Sequence, residues 1–358
     1  MRRAVRGSHP RGLATAVFAA LAALAALAAP AAAHVVVGRR TLRSWTRDAS
    51  VVVLAEVVEP VHAWASADGS ERRDTVRLRV LETLRGDPGT GVLRVHPHAE
   101  GLPEWPAGAR VLAFLEPSGG HASFAAIAGE VPWFTTQGPS DAWTISPDDA
   151  ETLSLARTWT RAGSGATPDL VRRTLLAQLG ARDRRLREDA LLELVLARSD
   201  SRLFPIARGV RPFARLAGSA SPLQVPERLA LAKALDGTPG FDAAAVPRSL
   251  VEAWPRLSER DRLALVRAAG QSRDPALSRW LASLLDDEAA DAVLRREAAA
   301  ALGHPWHAAQ VASLERATRS TDAVLARRAA AALAGAKRPV GAPGTGPGSA
   351  FAGPQSTR

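Results

Sequence analysis

The sequence of 358 residues contains no cysteine and no tyrosine. The absence of cysteine excludes disulfide bonds, thiolate metal sites, cysteine nucleophiles and a lipidated N-terminal cysteine. Lysine is nearly missing too, since Lys233 and Lys337 are the only two. With the abundant alanine, the heavy use of arginine indicates GC-rich coding more than arginine-specific recognition. The hydrophobic fraction of 46% and the charged fraction of 23% exclude a chain that is disordered throughout.

Motifs of the common enzyme classes are also missing. The chain has no Gly-x-Ser-x-Gly elbow, no His-Glu-x-x-His, no phosphate-binding loop and no dinucleotide fingerprint. Two acidic clusters, residues 148–151 and 286–288, lie at expected helix ends, and neither has a histidine beside it. We therefore expect a protein that is not an enzyme and that carries no cofactor.

The N-terminal segment has the features of a secretory signal peptide. Four arginines and no acid lie within residues 2–11, an apolar run follows over residues 13–29, and Pro30 precedes three alanines. This pattern predicts a signal peptide over residues 1–33, cleaved after Ala33. The alternative is an uncleaved membrane anchor, because the run could just span a bilayer. No later run approaches 20 apolar residues, so we expect a periplasmic, envelope-associated or secreted protein without an integral membrane segment after processing.

Charge divides the remaining chain into two parts. Residues 34–163 carry 13 basic and 16 acidic side chains, whereas residues 164–358 carry 29 basic and 20 acidic ones. The change of sign coincides with a change of hydrophobic period and predicts two domains, 34–146 and 147–336. Residues 337–358 are rich in glycine, proline, alanine and serine and predict a disordered tail. The negative first part makes nucleic acid an unlikely partner, and the basic second part could meet an anionic one.

The first domain has the pattern of a β-protein. Residues 51–58 are apolar and β-branched, which predicts a strand buried on both faces. Residues 75–80 alternate between apolar and polar side chains, as in a half-buried strand. Further short strands are expected at 93–96, 111–115, 124–127 and 133–136. No helical pattern separates them, so a small barrel or sandwich is favoured over an α/β arrangement.

Three segments carry a resemblance to a known family: residues 48–57 (DASVVVLAEV), 76–86 (VRLRVLETLRG) and 108–115 (GARVLAFL). Their order resembles the bacterial relatives of the tissue inhibitors of metalloproteinases. These are netrin-like domains with an oligonucleotide/oligosaccharide-binding (OB) barrel fold. The resemblance implies an OB-like antiparallel barrel over about 34–146. The animal inhibitors chelate the protease zinc through an N-terminal cysteine, which this chain lacks, so the resemblance does not carry protease inhibition with it.

The second domain has the pattern of repeated helices. Leu294, Ala298 and Leu302 lie at i, i+4 and i+8, one stripe of a helix. The same stripe occurs at 325–333 and at 186–194, and helices are expected at 168–179, 223–235, 258–269, 274–285 and 307–318. A recurrence near 30 residues indicates an α-solenoid, in which each helix pair covers its neighbour's stripe. The alternative is an ordinary irregular helical domain.

This part resembles short HEAT-like repeats of the kind found in phycobilisome lyases, best over 258–335. The resemblance implies a scaffold that binds proteins. Taken together, the fold class expected is multi-domain α and β, with a small OB-like antiparallel β-barrel followed by an α-solenoid of HEAT-like helix pairs.

Histidines offer one candidate site. Cleavage after Ala33 makes His34 the N-terminal residue, whose amine and ring nitrogen could bind copper or zinc together with another histidine. His96 and His98 lie two positions apart on an expected strand and could share one face. The alternative, which we prefer, is that these histidines are exposed and incidental, so we assign no metal site.

Arginines offer a second candidate site, a basic ridge on the repeats that would face an anionic partner. It would consist of Arg187, Arg295, Arg296, Arg327 and Arg328. The alternative is a solvated helix face with pairs such as Asp291 with Arg295. Six of the nine tryptophans precede residue 163, and we expect them to serve packing rather than sugar stacking.

These observations favour an exported, non-enzymatic binding or scaffold protein with a protein partner. Two alternatives stay open: a periplasmic copper- or zinc-binding protein that uses the N-terminal histidine, and an inhibitor of a secreted protease.

Overall fold

The computed structural model describes residues 40–65, 72–96, 105–118, 133–135, 143–145, 149–197, 207–218 and 221–337. Within these ranges, one short helix precedes six strands, and all further helices follow the strands. The expected order of a β part followed by an α part is therefore confirmed. The predicted signal peptide, its cleavage site and the predicted tail beyond Lys337 lie outside the described residues.

Six strands form the β part. They are β1 Val51–Ala65, β2 Arg72–Arg85, β3 Val92–His96, β4 Arg110–Pro117, β5 Trp133–Thr135 and β6 Trp143–Ile145. Every predicted strand within the described residues is present, and the one expected at 124–127 lies outside them. The sheet order is β1-β2-β3-β5-β4-β6, with β1 also paired to β4, so the pairing returns to its first strand. All pairs are antiparallel except β3 with β5.

Both faces of β1 are buried over residues 51–55, as the apolar sequence there predicts. Val51, Val53, Ala55 and Val57 belong to a hydrophobic cluster formed only by the β part. Val52 and Leu54 point the other way and belong to a cluster that includes the first helices. On β2, by contrast, one face is buried and the other is exposed. Side chains alternate between the two faces in both strands. The outer face is buried in β1, where helices cover it, and exposed in β2.

Twelve helices are described. They are α1 Leu42–Asp48, α2 Ala150–Ala162, α3 Pro168–Leu179, α4 Arg184–Leu196, α5 Ala207–Ala217, α6 Val225–Ala234, α7 Ala245–Glu252, α8 Glu259–Gly270, α9 Pro275–Asp286, α10 Ala292–Ala301, α11 Val311–Ala317 and α12 Ala323–Ala336. Short 3₁₀ turns span Gly163–Gly165, Trp254–Arg256 and Pro305–Gln310. None of the described helices combines the length and the hydropathy that a membrane crossing requires.

Local sequence explains where the predicted helices begin. Asp183, Asp274, Asp291 and Asp322 each precede a helix and accept hydrogen bonds from backbone N–H groups of its first turn. Such caps satisfy donors that have no partner within the helix. The sequence pattern does not predict α1, α5 and α7. Pro212 interrupts the pattern of α5, and α7 has only eight residues and contains Pro247.

From α3 onward the helices alternate between two layers. In one layer α4 contacts α6, α6 contacts α8, α8 contacts α10 and α10 contacts α12. In the other layer α3 contacts α5, α7 contacts α9 and α9 contacts α11, and each of these helices also contacts the even-numbered helix that follows it. The predicted stripes on α4, α10 and α12 are buried between the layers, apart from the half-buried Leu333.

Glycine and alanine allow neighbouring even-numbered helices to pack closely at their ends. A Cβ atom added at Gly270 would lie 2.6 Å from the Cβ of Ala301, and one added at Gly303 would lie 3.1 Å from the Cα of Ala332. The approach is closest at Gly335, where an added Cβ would lie 2.2 Å from the carbonyl oxygen of Gly303. At Gly270 and Gly335 the added atom would lie closer than 3.0 Å to its nearest neighbour, so a larger residue there requires the neighbouring segment to shift.

Replacing Gly270 tests this close packing. We expect Gly270→Ala to lower the free energy of unfolding by about 1–3 kcal/mol, because the new methyl group must push α10 away from α8. Urea denaturation followed by circular dichroism measures the change. The matched control is Gly180→Ala, where the nearest atoms to an added Cβ lie 3.5 Å away; its effect should stay within about 0.5 kcal/mol. Equal effects at the two positions would contradict the packing described here.

Candidate functional site

The β part and the first helices share one hydrophobic core. Val52, Leu112, Phe114 and Trp143 of the sheet lie in the same buried cluster as residues from α1 through α8. Trp45 of α1 is central to the contact: its ring stacks on Phe114 at 5.6 Å and meets Trp143 edge to face at 5.9 Å. Tryptophan therefore serves as packing at this contact, as expected.

The first turn of α1 is held by two acids of α4. The backbone N–H of Leu42 donates to Asp189 Oδ1 at 2.8 Å. The hydroxyl of Thr41 donates to Glu193, and the Arg43 guanidinium forms an ion pair with the same carboxylate at 2.7 Å. Asp189 and Glu193 lie one helical turn apart, and each residue is only 8% exposed. The backbone N–H groups in the first turn of a helix have no partner within the helix. In α1 the N–H of Leu42 donates instead to a buried carboxylate of another helix.

Two neutral side chains, those of Gln178 and Trp159, extend this hydrogen-bonded contact. The Gln178 side-chain N–H donates to Asp189 Oδ2 at 2.9 Å, and the Trp159 indole N–H donates to Gln178 Oε1 at 3.2 Å. The Arg43 guanidinium lies over the Trp159 ring, 5.6 Å from its centroid. We call these seven residues the junction network: Thr41, Leu42, Arg43, Trp159, Gln178, Asp189 and Glu193.

The junction network perturbs one of its acids strongly. Burial raises the pKa of the Asp189 carboxyl to about 7, and the negative charge of Glu193 acts in the same direction. The hydrogen bonds from Leu42 and Gln178 oppose this rise, because they stabilise the charged form. Near neutral pH, Asp189 is therefore poised between its protonated and its charged form.

Two further contacts tie the sheet to the helices. Arg157 of α2 binds Glu82 of β2 through two nitrogens, at 2.9 and 2.6 Å, and this hydrogen bonding lowers the pKa of the Glu82 carboxyl. Arg85, at the end of β2, donates to the carbonyl oxygens of Thr46 and Arg47 at 2.7 Å each. The β part is thus bonded to α1 and α2 as well as packed on them.

A cleft of about 740 Å³ opens farther along the helical part. Its walls come from α6, from the connection between α6 and α7, and from α8 with the turn that follows it. Leu229, Phe241 and Ala268 supply apolar wall, and Lys233 and Gln271 supply polar groups. Arg273 lines the cleft and also lies over the exposed Trp306 ring, 5.5 Å from its centroid.

The cleft lies where charged bridges between neighbouring even-numbered helices are interrupted. Arg187 of α4 pairs with Glu227 of α6, and Glu297 of α10 binds both Arg267 of α8 and Arg328 of α12. No hydrogen bond or ion pair joins α6 to α8 among the described residues. There, the side chains of Lys233 and Gln271 have no bonding partner in the part of the chain that the structure describes.

The acids of the cleft are mostly engaged. Arg248 of α7 binds both Asp242 and Asp274, and Asp274 also caps α9. Asp236, just after α6, has an interaction partner as well. Of the cations that line the cleft, Arg267 pairs with Glu297 and Arg273 lies over the Trp306 ring, so Lys233 is the one with no partner among the described residues.

The predicted basic ridge has a different use in the structure. Arg187 is nearly buried and donates to the carbonyl oxygens of Ala181 and Arg182 in addition to binding Glu227. Arg295 donates to the Leu285 carbonyl oxygen instead of pairing with Asp291, which caps α10. Arg296 and Arg328 form ion pairs with Asp322 and Glu297. Of the five, Arg327 alone has no bonding partner among the described residues, and it is exposed. Most of these arginines join helices and do not form one free surface.

Of the three candidate metal ligands, the structure describes only His96. His34 and His98 lie outside them, and His96 is 9% exposed at the end of β3. Within the described ranges, no group of three histidine, aspartate or glutamate residues could hold a metal ion.

A serine and a histidine do meet, but in the core. Ser278 Oγ lies 2.6 Å from His307 Nδ1, and His307 Nε2 lies 3.0 Å from the Gly270 carbonyl oxygen. Since that carbonyl can only accept, Nε2 carries the proton and Nδ1 accepts from Ser278. Burial lowers the pKa of His307 and favours its neutral form. With exposures of 5% and 0%, the pair has no access to a substrate and joins α8, α9 and the turn at 305–310.

No protein-family model matches the chain, and a search of curated proteins found no match.

Arg187 and Arg327 provide a direct comparison between a helix-joining and a solvated arginine. We expect Arg187→Gln to lower the free energy of unfolding by about 3 kcal/mol, because Glu227 would keep a buried charge without its partner. Arg327→Gln should change it by less than about 0.5 kcal/mol. Denaturant titrations of both variants measure these values. Similar small effects would show that Arg187 is a surface charge after all.

Proposed function

We propose that this chain is an exported, non-enzymatic binding protein, in which an OB-like barrel is fused to a HEAT-like solenoid whose cleft between α6 and α8 holds a segment of a protein partner. The observation that carries the proposal is the cleft itself, where the bridges between helices stop and Lys233 and Gln271 face open space.

Strand pairing supports the OB-like assignment. Strands β1 to β5 form the closed ring β1-β2-β3-β5-β4-β1, and β4 also pairs with β6. Five strands in such a ring are what a small barrel of the OB class needs. The interior of the ring is filled by apolar side chains, including Val53, Leu78 and Leu93. The ligand of a filled barrel must therefore bind outside it, on its surface or its loops.

Helix contacts support the HEAT-like assignment. The alternation of two layers is the arrangement in which each helix pair covers the stripe of the next. Glu297 accepts from Arg267, 30 residues before it, and from Arg328, 31 residues after it, and so links three successive even-numbered helices. Repeat proteins of this architecture commonly bind partners along an extended surface of stacked helices.

The chemistry of the cleft indicates the kind of segment it accepts. Apolar wall from Leu229, Phe241 and Ala268 suits a hydrophobic side chain, and Lys233 suits a carboxylate beside it. A short extended peptide with an acidic and an apolar residue satisfies both. The regularly spaced negative phosphates of a nucleic acid would instead need several free cations. The cleft offers two, Lys233 and Arg273, which is too few.

Lysine chemistry tests this proposal sharply, because the chain has only two lysines. The exported protein is incubated with the proteins exported by its own source, treated with an amine-reactive cross-linker, and mapped by mass spectrometry. We expect partner peptides on Lys233 and not on Lys337, which is exposed and pairs with Glu315 at the far end of the helices. Partner peptides on Lys337 alone would contradict a site in the cleft.

Binding measurements with the captured partner complete the test. We expect Lys233→Glu to weaken binding at least about tenfold, since it places a negative charge where a carboxylate is held. Lys337→Glu is the matched control and should leave the affinity unchanged. Equal affinities of all three proteins would overturn the proposal.

A further inference from the structure

The repeat pattern shows that α1 takes the place of a missing neighbour. When the stripes that start at Leu186, Leu294 and Leu325 are aligned, Glu193 corresponds to Ala301 and Ala332. Ala301 packs against Gly270, the last residue of α8, and Ala332 packs against Gly303, which follows α10. At α4 the same position faces α1 instead, through the bonds of Glu193 to Thr41 and Arg43. The acid replaces a packing contact with a polar one.

The two acids at this end of the stack differ in their partners. Glu193 has a cation within 2.7 Å, the Arg43 guanidinium. Asp189 receives bonds only from neutral groups, the Leu42 N–H and the Gln178 side chain. Arg185, on its own helix, acts on Asp189 from a distance, but its guanidinium lies over the Trp143 ring at 4.7 Å. Arg47 of α1 acts on Glu193 and binds Asp48.

The junction network therefore contains two buried carboxylates and one directly bonded cation. We propose that Asp189 is a proton-binding site that sets how tightly α1 is held on α4, so that loss of its proton loosens the junction between the sheet and the helices. The proposal does not depend on the cleft, since no residue of the junction network lines the cleft.

The direction of the effect follows from proton linkage. In the docked state, burial raises the pKa of Asp189 to about 7, whereas a hydrated aspartate has its ordinary pKa of 3.8. Between these values the docked state binds one proton more than a state in which α1 has lifted and water reaches Asp189. Raising the pH through this window favours the lifted state by up to about tenfold per pH unit. Below about pH 4 and above about pH 7, the ratio of the lifted to the docked state no longer changes with pH.

Hydrogen exchange of the exported protein measures the lifting of α1. Backbone protection of α1 is compared with that of α10 in the same sample between pH 4.5 and 8.5, so that the pH dependence of the exchange chemistry cancels. We expect the protection of α1 relative to α10 to fall steadily toward pH 7 and then to level off. Relative protection that is constant over this range would overturn the proposal.

Two variants separate a proton switch from a merely structural contact. Asp189→Asn keeps the size of the side chain and cannot ionise, so the relative protection of α1 should become independent of pH. Glu193→Gln removes the neighbouring negative charge, which shifts the levelling-off point of the curve to lower pH. An Asp189→Asn protein with the slope of the wild type would contradict the proposal. If Asp189→Asn does not fold, the wild-type curve and the shift in Glu193→Gln decide between the two outcomes.

Discussion

Three consecutive residues at the start of α1 donate hydrogen bonds to two buried acids of α4, and this contact holds in place the helix that leads into the sheet. Thr41, Leu42 and Arg43 reach Asp189 and Glu193 across about 150 residues of sequence. Because α1 leads directly into β1, anchoring the helix also places the sheet. Apolar packing of Trp45 on the sheet then fills the space between the two parts. A buried acid pair of this kind contributes more to specifying one arrangement than to net stability.

The helical part continues from that anchor by repetition. Each even-numbered helix offers a stripe of leucine and alanine to the odd-numbered layer, and small residues at its end to the next even-numbered helix. Arginines join successive units through acids that lie 26 to 40 residues away. The cleft between α6 and α8 interrupts this series, so it combines open volume with polar groups that the fold does not use. That combination is the basis on which we propose that the cleft binds a segment of a partner.

Sequence patterns predicted the parts of this structure that depend on neighbours along the chain. The apolar run in residues 51–58 and the alternation in residues 75–80 predicted two strands and their buried faces, and the stripe at 294–302 predicted its helix. They could not predict α1, because seven residues are too few for a helical period and its stability comes from Asp189 and Glu193. The bonds of the arginines in the basic ridge could not be predicted for the same reason, since the partners of Arg187 and Arg296 lie in the next repeat. One signal for the junction was present: Glu193 stands where the other repeats have alanine.

A double-mutant cycle between Arg43 and Glu193 measures the central contact most directly. The free energies of unfolding of Arg43→Met, Glu193→Gln and the double variant are compared with that of the unaltered protein. A contact that anchors α1 predicts a coupling energy of about 1–3 kcal/mol, with the double variant less destabilised than the sum of the two single ones. Additive effects, within about 0.3 kcal/mol, would contradict the account, because α1 would then be held without its acids.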